Sequence, residues 1–274
     1  MRGIHSSRAP QHVLTLSGFL PISLAWKLLP RQNRRLMKRI VLSLLYCCGA
    51  ALCPAQDAAL SKALTPIPRP EPGQMQRHES FNEISKKGEA ELVFLGDSIT
   101  QGWSGAGKAV WGRTWEPLKA ANFGIGGDRT EHVLWRLDHG NYDGLKPRLT
   151  VLMIGTNNTG HRMDPAPDTV AGVKAIVDKL HSKQPQMKVL VLGVFPRGEK
   201  GDDPKRVRTD EINALLPKLA DGKKVFFLDI GKSFLQPDGS LSKEIMPDFL
   251  HLSPKGYELW AAAIEPKVKE LMRK

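Results

Sequence analysis

Past residue 55 this 274-residue chain has no cysteine, because its only three, Cys47, Cys48 and Cys53, lie before that point. The remainder therefore holds no disulfide, thiolate metal site or cysteine nucleophile. Acidic residues are absent from the same leading stretch, which carries eight basic side chains (Arg2, Arg8, Lys27, Arg31, Arg34, Arg35, Lys38, Arg39). The formal charge of +12 is thus lopsided: from residue 56 onward 32 Lys and Arg face 28 Asp and Glu, a net +4. Clustered cations attract nucleic acid or anionic membrane, but here they sit in a segment that reads as an address, so no nucleic-acid partner is expected. No apolar run reaches the roughly 20 residues that a membrane-spanning helix needs, and no stable membrane insertion is expected. There is no internal repeat and no Gly-Lys-Ser/Thr phosphate loop.

What is present begins with Met37-Lys38-Arg39, an apolar run over 40–52, and Cys53-Pro54-Ala55. A charged start, a short apolar stretch and small residues at the end form a secretory signal, cut after Ala55. Residues 1–55 are therefore read as a leader with its true start at Met37, and the protein as exported, periplasmic or extracellular. An organelle transit peptide is the weaker reading, and a lipid anchor on Cys53 is disfavoured by the bulky Leu52. Residues 56–77 place proline at 66, 68, 70 and 72, which excludes a central strand or helix interior and suggests an extended, solvated linker.

From residue 78 to 274 strand-like runs alternate with segments of helical period, the pattern of a parallel sheet covered on both faces. Strands are expected over 91–95, 121–123, 149–154, 188–194 and 224–228, and helices over 81–87, 130–137, 169–183, 208–219 and 255–272. This is one α/β domain, three-layered and flavodoxin-like, with a five-stranded parallel sheet. Ligands of such sheets bind beyond the carboxyl ends of the strands, and the chemically interesting residues fall there.

Gly96-Asp97-Ser98 follows the first strand, where a serine can lie exposed beside backbone N–H groups. Gly124, after the second, lets a backbone N–H approach a reacting oxygen. Gly155-Thr156-Asn157 follows the third and offers a side-chain amide, while Asp248 and His251 precede the last helix and can supply a base and its orienting acid. Each alone is an ordinary turn or cap. Together they provide a nucleophile, oxyanion donors, base and acid in one chain.

On those four blocks the sequence resembles the SGNH, or GDSL-like, hydrolase family. Phe94-Leu95-Gly96-Asp97-Ser98, Asn122 to Asp128, Val133 to Leu137, Pro196 to Lys200 and Asp248 to Leu252 extend the likeness to the catalytic subunits of brain-type platelet-activating-factor acetylhydrolases, over roughly residues 78–273. The resemblance implies a carboxylic ester hydrolase with Ser98, Asp248 and His251 as catalytic triad and an oxyanion hole of Ser98 N–H, Gly124 N–H and the Asn157 amide. It implies no cofactor and no metal, allows a homodimer, and places Ile99, Thr156 and Leu250 around a small acyl site; core packing is their rival role. Trp103 and the 159–168 loop, with His161, are candidates for the alcohol side. An exported enzyme of this kind is expected to act on short-chain, chiefly acetyl, esters of small molecules or glycans. A phospholipid or lysophospholipid esterase is the alternative and a non-catalytic flavodoxin-like binding domain the third. A classical α/β-hydrolase is disfavoured because Thr100 stands where its Gly-x-Ser-x-Gly elbow needs glycine.

Overall fold

The computed structural model describes residues 61–273. The leader read at 1–55, with its start codon and cleavage site, lies outside them. All five expected strands are found: β1 (Leu92–Gly96), β2 (Ala120–Gly124), β3 (Leu149–Met153), β4 (Lys188–Leu192) and β5 (Val225–Leu228). They pair in parallel in the order β2-β1-β3-β4-β5. Gly96 is in register with both Gly124 and Met153, so three strands end on one line. The order reverses between β1 and β3, which makes that line the crevice where an open α/β sheet receives ligands.

The twofold alternation of strand side chains divides the core into two layers. Val93, Leu95, Phe123, Leu152, Val189 and Val191 face one side, against α1 (Pro72–Lys87), α4 (Thr130–Asp138), α6 (Ala166–Lys183) and α7 (Pro204–Leu215). Leu92, Phe94, Val151, Met153, Leu190 and Leu192 face the other, against α3 (Lys108–Thr114) and α8 (Pro254–Met272). On that side Phe94, Trp103, Trp111, Trp115, Tyr257 and Trp260 pack ring against ring, with centroids 4.6–6.3 Å apart. Two short helices complete the set: α2 (Ser98–Gln101) and α5 (Thr156–Arg162).

Helix starts differ from expectation where proline opens them. Helix α1 begins nine residues early, at Pro72, and α7 at Pro204, whose preceding Asp203 caps the Lys205 and Arg206 N–H groups. Proline is compatible with a first turn because its missing N–H has no partner there.

The described part of the expected linker, residues 61–77, is likewise not a solvated spacer. Ala63 is fully buried. Ser61 donates to Asp168 (2.9 Å), Thr130 Oγ1 donates to the Ala63 carbonyl (2.8 Å), and Arg69 donates to the Gly126 carbonyl (3.2 Å). The prolines do hold this stretch extended, but an extended chain still offers carbonyls and N–H groups to a neighbouring surface, and here they are taken up. The folded body therefore begins before residue 78.

Beneath the strand ends lies Arg136, 3% exposed. Its guanidinium pairs with Asp128 (2.9 Å), donates to Asn141 (3.0 Å), and reaches the carbonyls of Phe123 (3.2 Å) and Gly96 (3.4 Å). Removing one partner of a buried pair leaves the other charge uncompensated. Arg136→Met is expected to cost about 3–5 kcal/mol in urea unfolding, less at low pH where Asp128 protonates. Lys86→Met, at an exposed pair with Glu83, should change little. Equal effects of the two would refute this role for Arg136.

Candidate active site

Asp97 leaves β1 and turns its Oδ1 to accept the Ile99 N–H (3.0 Å), capping α2. Ser98 is thereby the first residue of that helix, and its own N–H has no partner there. The half-buried Ser98 hydroxyl lies 2.9 Å from His251 Nε2. On the far side of the ring, Nδ1 is 2.7 Å from Asp248 Oδ2. A carboxylate can only accept, so Nδ1 carries the proton and Nε2 presents its lone pair to the serine.

Asp248 holds this arrangement from its own turn. Its Oδ1 accepts the backbone N–H groups of His251 (2.7 Å) and Leu250 (3.1 Å) while Oδ2 takes the ring. Burial raises the Asp248 pKa, but these hydrogen bonds outweigh it and hold the carboxyl below the usual range. Between them Phe249 adopts a left-handed backbone (φ 56°), unusual for a bulky residue and of the kind stored at functional sites. Its carbonyl is fixed by the Gly198 N–H (2.9 Å). The imidazole and carboxylate are 46% and 56% exposed, open to a ligand from solvent.

The two expected oxyanion donors besides the Ser98 N–H are not equally available. Asn157, 6% exposed, gives one amide hydrogen to the Asp128 carbonyl (3.0 Å), which orients the group and leaves the other hydrogen available. Gly124 N–H is already donated to Asn122 Oδ1 (3.0 Å), so it serves a substrate oxygen only by exchanging that partner. The glycine itself has a steric reason. A Cβ there would lie 2.2 Å from Gln101 N, so only glycine lets β2 end against α2. Gly155 has φ +129° and is needed for the turn from β3 into α5.

Of the expected acyl-site residues, Ile99 (1% exposed) belongs to the core and its carbonyl accepts the Tyr257 hydroxyl (2.6 Å). Thr156 is fully buried and held through its carbonyl (2.7 Å) and hydroxyl (3.0 Å) by Arg197. Leu250 is half-buried beside His251. Trp103 does not line the alcohol side: it is fully buried in the aromatic cluster, because a large apolar ring one turn past α2 faces the core. His161 is exposed, one helical turn beyond Asn157. Residue-type reasoning did not isolate Asn122, Gln101 or Arg197, each of which holds a group near a strand end: Asn122 accepts the Gly124 N–H, Gln101 the Gly126 N–H, and Arg197 donates to the carbonyl and hydroxyl of Thr156. A large hollow of about 910 Å³ runs elsewhere, along the free edge of β2 past Arg77, Trp111 and Asn122. It contains none of Ser98, Asp248 and His251, so chemistry and not volume locates the site.

The floor is electrostatically tense. Asp97 is fully buried and its Oδ2 has no partner among the described residues. Burial pushes its carboxyl up to about 7, the Ile99 hydrogen bond opposing and the nearby Asp128 charge adding to the rise. Burial also raises Asp128, to about 6, against the pull of Arg136 and Arg69. Among the described residues no group of three or more His, Cys, Asp or Glu forms a metal-binding cluster.

A model of the GDSL-like lipase/acylhydrolase family matches residues 94–259. Platelet-activating factor acetylhydrolase IB subunit alpha1 of Homo sapiens is 42% identical over 184 residues, covering 67% of this chain and 77% of that protein. Subunit alpha2 of Rattus norvegicus is 39% identical over 202 residues, 72% of this chain and 84% of the relative. Among solved structures, one described as an acylhydrolase from Bacteroides fragilis superposes with a TM-score of 0.61 at 22% identity, covering 75% of this chain and all of that one. An acetylxylan esterase from Geobacillus stearothermophilus gives 0.53 at 20%, covering 69% and 97%. At such identities the likeness speaks to the fold.

The raised carboxyls at the floor set a direction for stability. Between about pH 4 and 7 the folded state keeps a proton on Asp97 that the unfolded chain releases, so stability falls as pH rises through that window. Asp97→Asn retains the capping oxygen and removes the ionisation. Its urea midpoint, relative to the unsubstituted protein, is expected to rise from pH 5 to pH 8; parallel curves would disprove the assignment.

Proposed function

We propose, from the premise that the chain belongs to the GDSL-like lipase/acylhydrolase family, that it is an exported serine esterase removing short acyl groups, acetyl above all, from esterified carbohydrate. That it hydrolyses esters follows from the family; the nucleophile, the substrate and the export are the proposal. The observation that carries it is the unbroken hydrogen-bond chain Ser98–His251–Asp248 at the crevice between β1 and β3.

In this mechanism Ser98 Oγ attacks the ester carbonyl as His251 Nε2 takes its proton. The new Oγ–C bond converts the carbonyl oxygen to an oxyanion, held by the Ser98 N–H, the free Asn157 amide hydrogen and the Gly124 N–H released from Asn122. Asp248 stabilises the imidazolium in the tautomer that suits both transfers. Collapse of the intermediate breaks the bond to the alcohol, which leaves with the proton from His251. Water, deprotonated by the same imidazole, then attacks the acyl-Ser98 carbonyl and restores the hydroxyl. Pre-aimed donors contribute most where charge develops, because they need no reorganisation.

The short-acyl reading is supported by the 42% identical relative, which is named an acetylhydrolase; Ile99 and Thr156 are wholly buried and pack behind the site without lining it. The carbohydrate reading follows from export, which the leader pattern motivates. The second reading, a phospholipid or lysophospholipid esterase, is favoured by the 42% identical relative, itself named for an acetylhydrolase of platelet-activating factor.

With 4-nitrophenyl acetate, butyrate and octanoate, acetate is expected to be the best substrate and Ser98→Ala inactive. Asn157→Ala should lower kcat about 10²–10³-fold, with KM little changed. Octanoate as the best ester would transfer the proposal to the lipid reading, and turnover by Ser98→Ala would refute the nucleophile. Expression of the whole chain with a secretion system should yield a protein starting at Gln56 outside the cytoplasm; retention of residues 1–55 would refute export by this leader.

A further inference from the structure

The segment before α1, the loop after β2 with the start of α4, and the end of α5 line an open hollow of about 360 Å³. Its polar walls are Arg69, Glu71, Arg129, His132 and His161. It adjoins the candidate site, since Arg69 donates to the Gly126 carbonyl and a Cβ on Gly126 would lie 3.8 Å from that of Ser98. Asp128, whose carbonyl orients Asn157, precedes Arg129 directly, and His161 follows Asn157 by one helical turn.

The donors in this hollow exceed the acceptors. Arg129 Nε donates to Glu131 (2.6 Å), Nη1 to His161 Nδ1 (3.2 Å), and Nη2 lies 3.2 Å from His132 Nε2. A guanidinium has five N–H groups, so at least two on Arg129 have no partner among the described residues. His161 Nδ1 must accept, which puts its proton on Nε2, without a partner among the described residues. His132, 2% exposed, already accepts the Arg129 backbone N–H at Nδ1 (3.0 Å). Its Nε2 then carries a hydrogen and faces Arg129 Nη2, two donors with no acceptor between them.

The nearby carboxylates do not fill this need. Glu131 is fully buried and engaged by Arg129 and Arg162, both at 2.6 Å, while Glu71 is clasped by Arg69. Burial and the surrounding arginines hold both imidazoles neutral, lowering His132 to about 3 and His161 below its ordinary value.

We propose that this hollow is a subsite for an anionic oxygen group of the substrate, a carboxylate or a phosphate, gripped by Arg129, His132 and His161. The inference rests on the esterase reading above. An acetyl group bears no charge, so the anion belongs to the alcohol, and the substrate class becomes acetyl esters of acidic saccharides, with phosphorylated alcohols as the other source of the same chemistry.

The test compares kcat/KM for acetylated digalacturonate, acetylated xylobiose and an acetylated glycerophosphate. The acidic sugar is expected to exceed the neutral one about tenfold at low ionic strength, the preference fading near about 0.5 M salt. His161→Gln, at an exposed position, and Arg129→Gln should each reduce that ratio about fivefold or more. A preference for the glycerophosphate keeps the subsite and assigns it to phosphate. Equal use of charged and neutral esters, or a preference untouched by both substitutions, overturns it. Calorimetry with Ser98→Ala separates this inference from the esterase reading. Binding of unacetylated digalacturonate or inorganic phosphate that His161→Gln weakens upholds the subsite whatever the turnover, and absence of binding by both removes it while leaving ester hydrolysis intact.

Discussion

One guanidinium joins the sheet to the chemistry. Arg136 reaches the last carbonyl of β1, the Phe123 carbonyl one residue before the end of β2, and the Asp128 carboxylate from a buried position on α4. The ends of parallel strands present carbonyls that need partners once they leave the ladder, and a five-donor fork satisfies several at once. Because Asp128 is tied to that fork, its main-chain carbonyl stays where it can take the Asn157 amide. A bond deep in one layer thus fixes the direction of a donor at the candidate site. The arrangement also explains why Asp128, though buried enough to favour its neutral form, is worth retaining as an acid: the arginine would otherwise be the unpaired charge.

The sheet was readable because β1, β3 and β4 are nearly continuous apolar runs of the length expected for strands covered on both sides. The grouping of Ser98, His251 and Asp248 was readable for a different reason, since proton-transfer chemistry restricts residue types more tightly than packing does. Short helices were not. Helices α2, α3 and α5 have four to seven residues, too few for helical periodicity to emerge, and their stability comes from tertiary contacts. The stretch 61–71 misled for a third reason: proline governs backbone shape, whereas docking depends on what the rest of the fold leaves unpaired. Thr130 Oγ1 and Asp168 are such groups, and nothing near Ser61 or Ala63 in sequence announces them.

The site divides sharply by exposure. His251 and Asp248 are open to solvent, while Asp97, Asp128, Asn157 and Arg136 below them are almost wholly buried. Solvent screens the upper pair, so its alignment depends on geometry: an Asx-type turn, a left-handed Phe249 and the Gly198 N–H. The buried layer needs no such devices, because a low-dielectric surrounding strengthens each hydrogen bond and penalises any alternative. In the proposed mechanism the proton-carrying groups therefore lie where protons can exchange with substrate and water, and the supporting hydrogen bonds lie in the buried layer.

The loop from Gly124 to Arg129 connects these layers to the proposed anion subsite. Gln101 accepts the Gly126 N–H from one side and Arg69 donates to the Gly126 carbonyl from the other, so both peptide units flanking the Gly126 Cα, beside Ser98, are held, one by α2 and one by the segment before α1. A group seated against Arg129 and His161 would bear on the same backbone that carries the oxyanion donors. Binding at a distance from the ester would then help orient the reacting carbonyl, because the loop has little freedom to absorb the contact elsewhere. Binding energy from a non-reacting substituent is most useful to catalysis when it fixes orientation in this way, and a neutral ester lacking that substituent would have to be positioned by its acyl end alone.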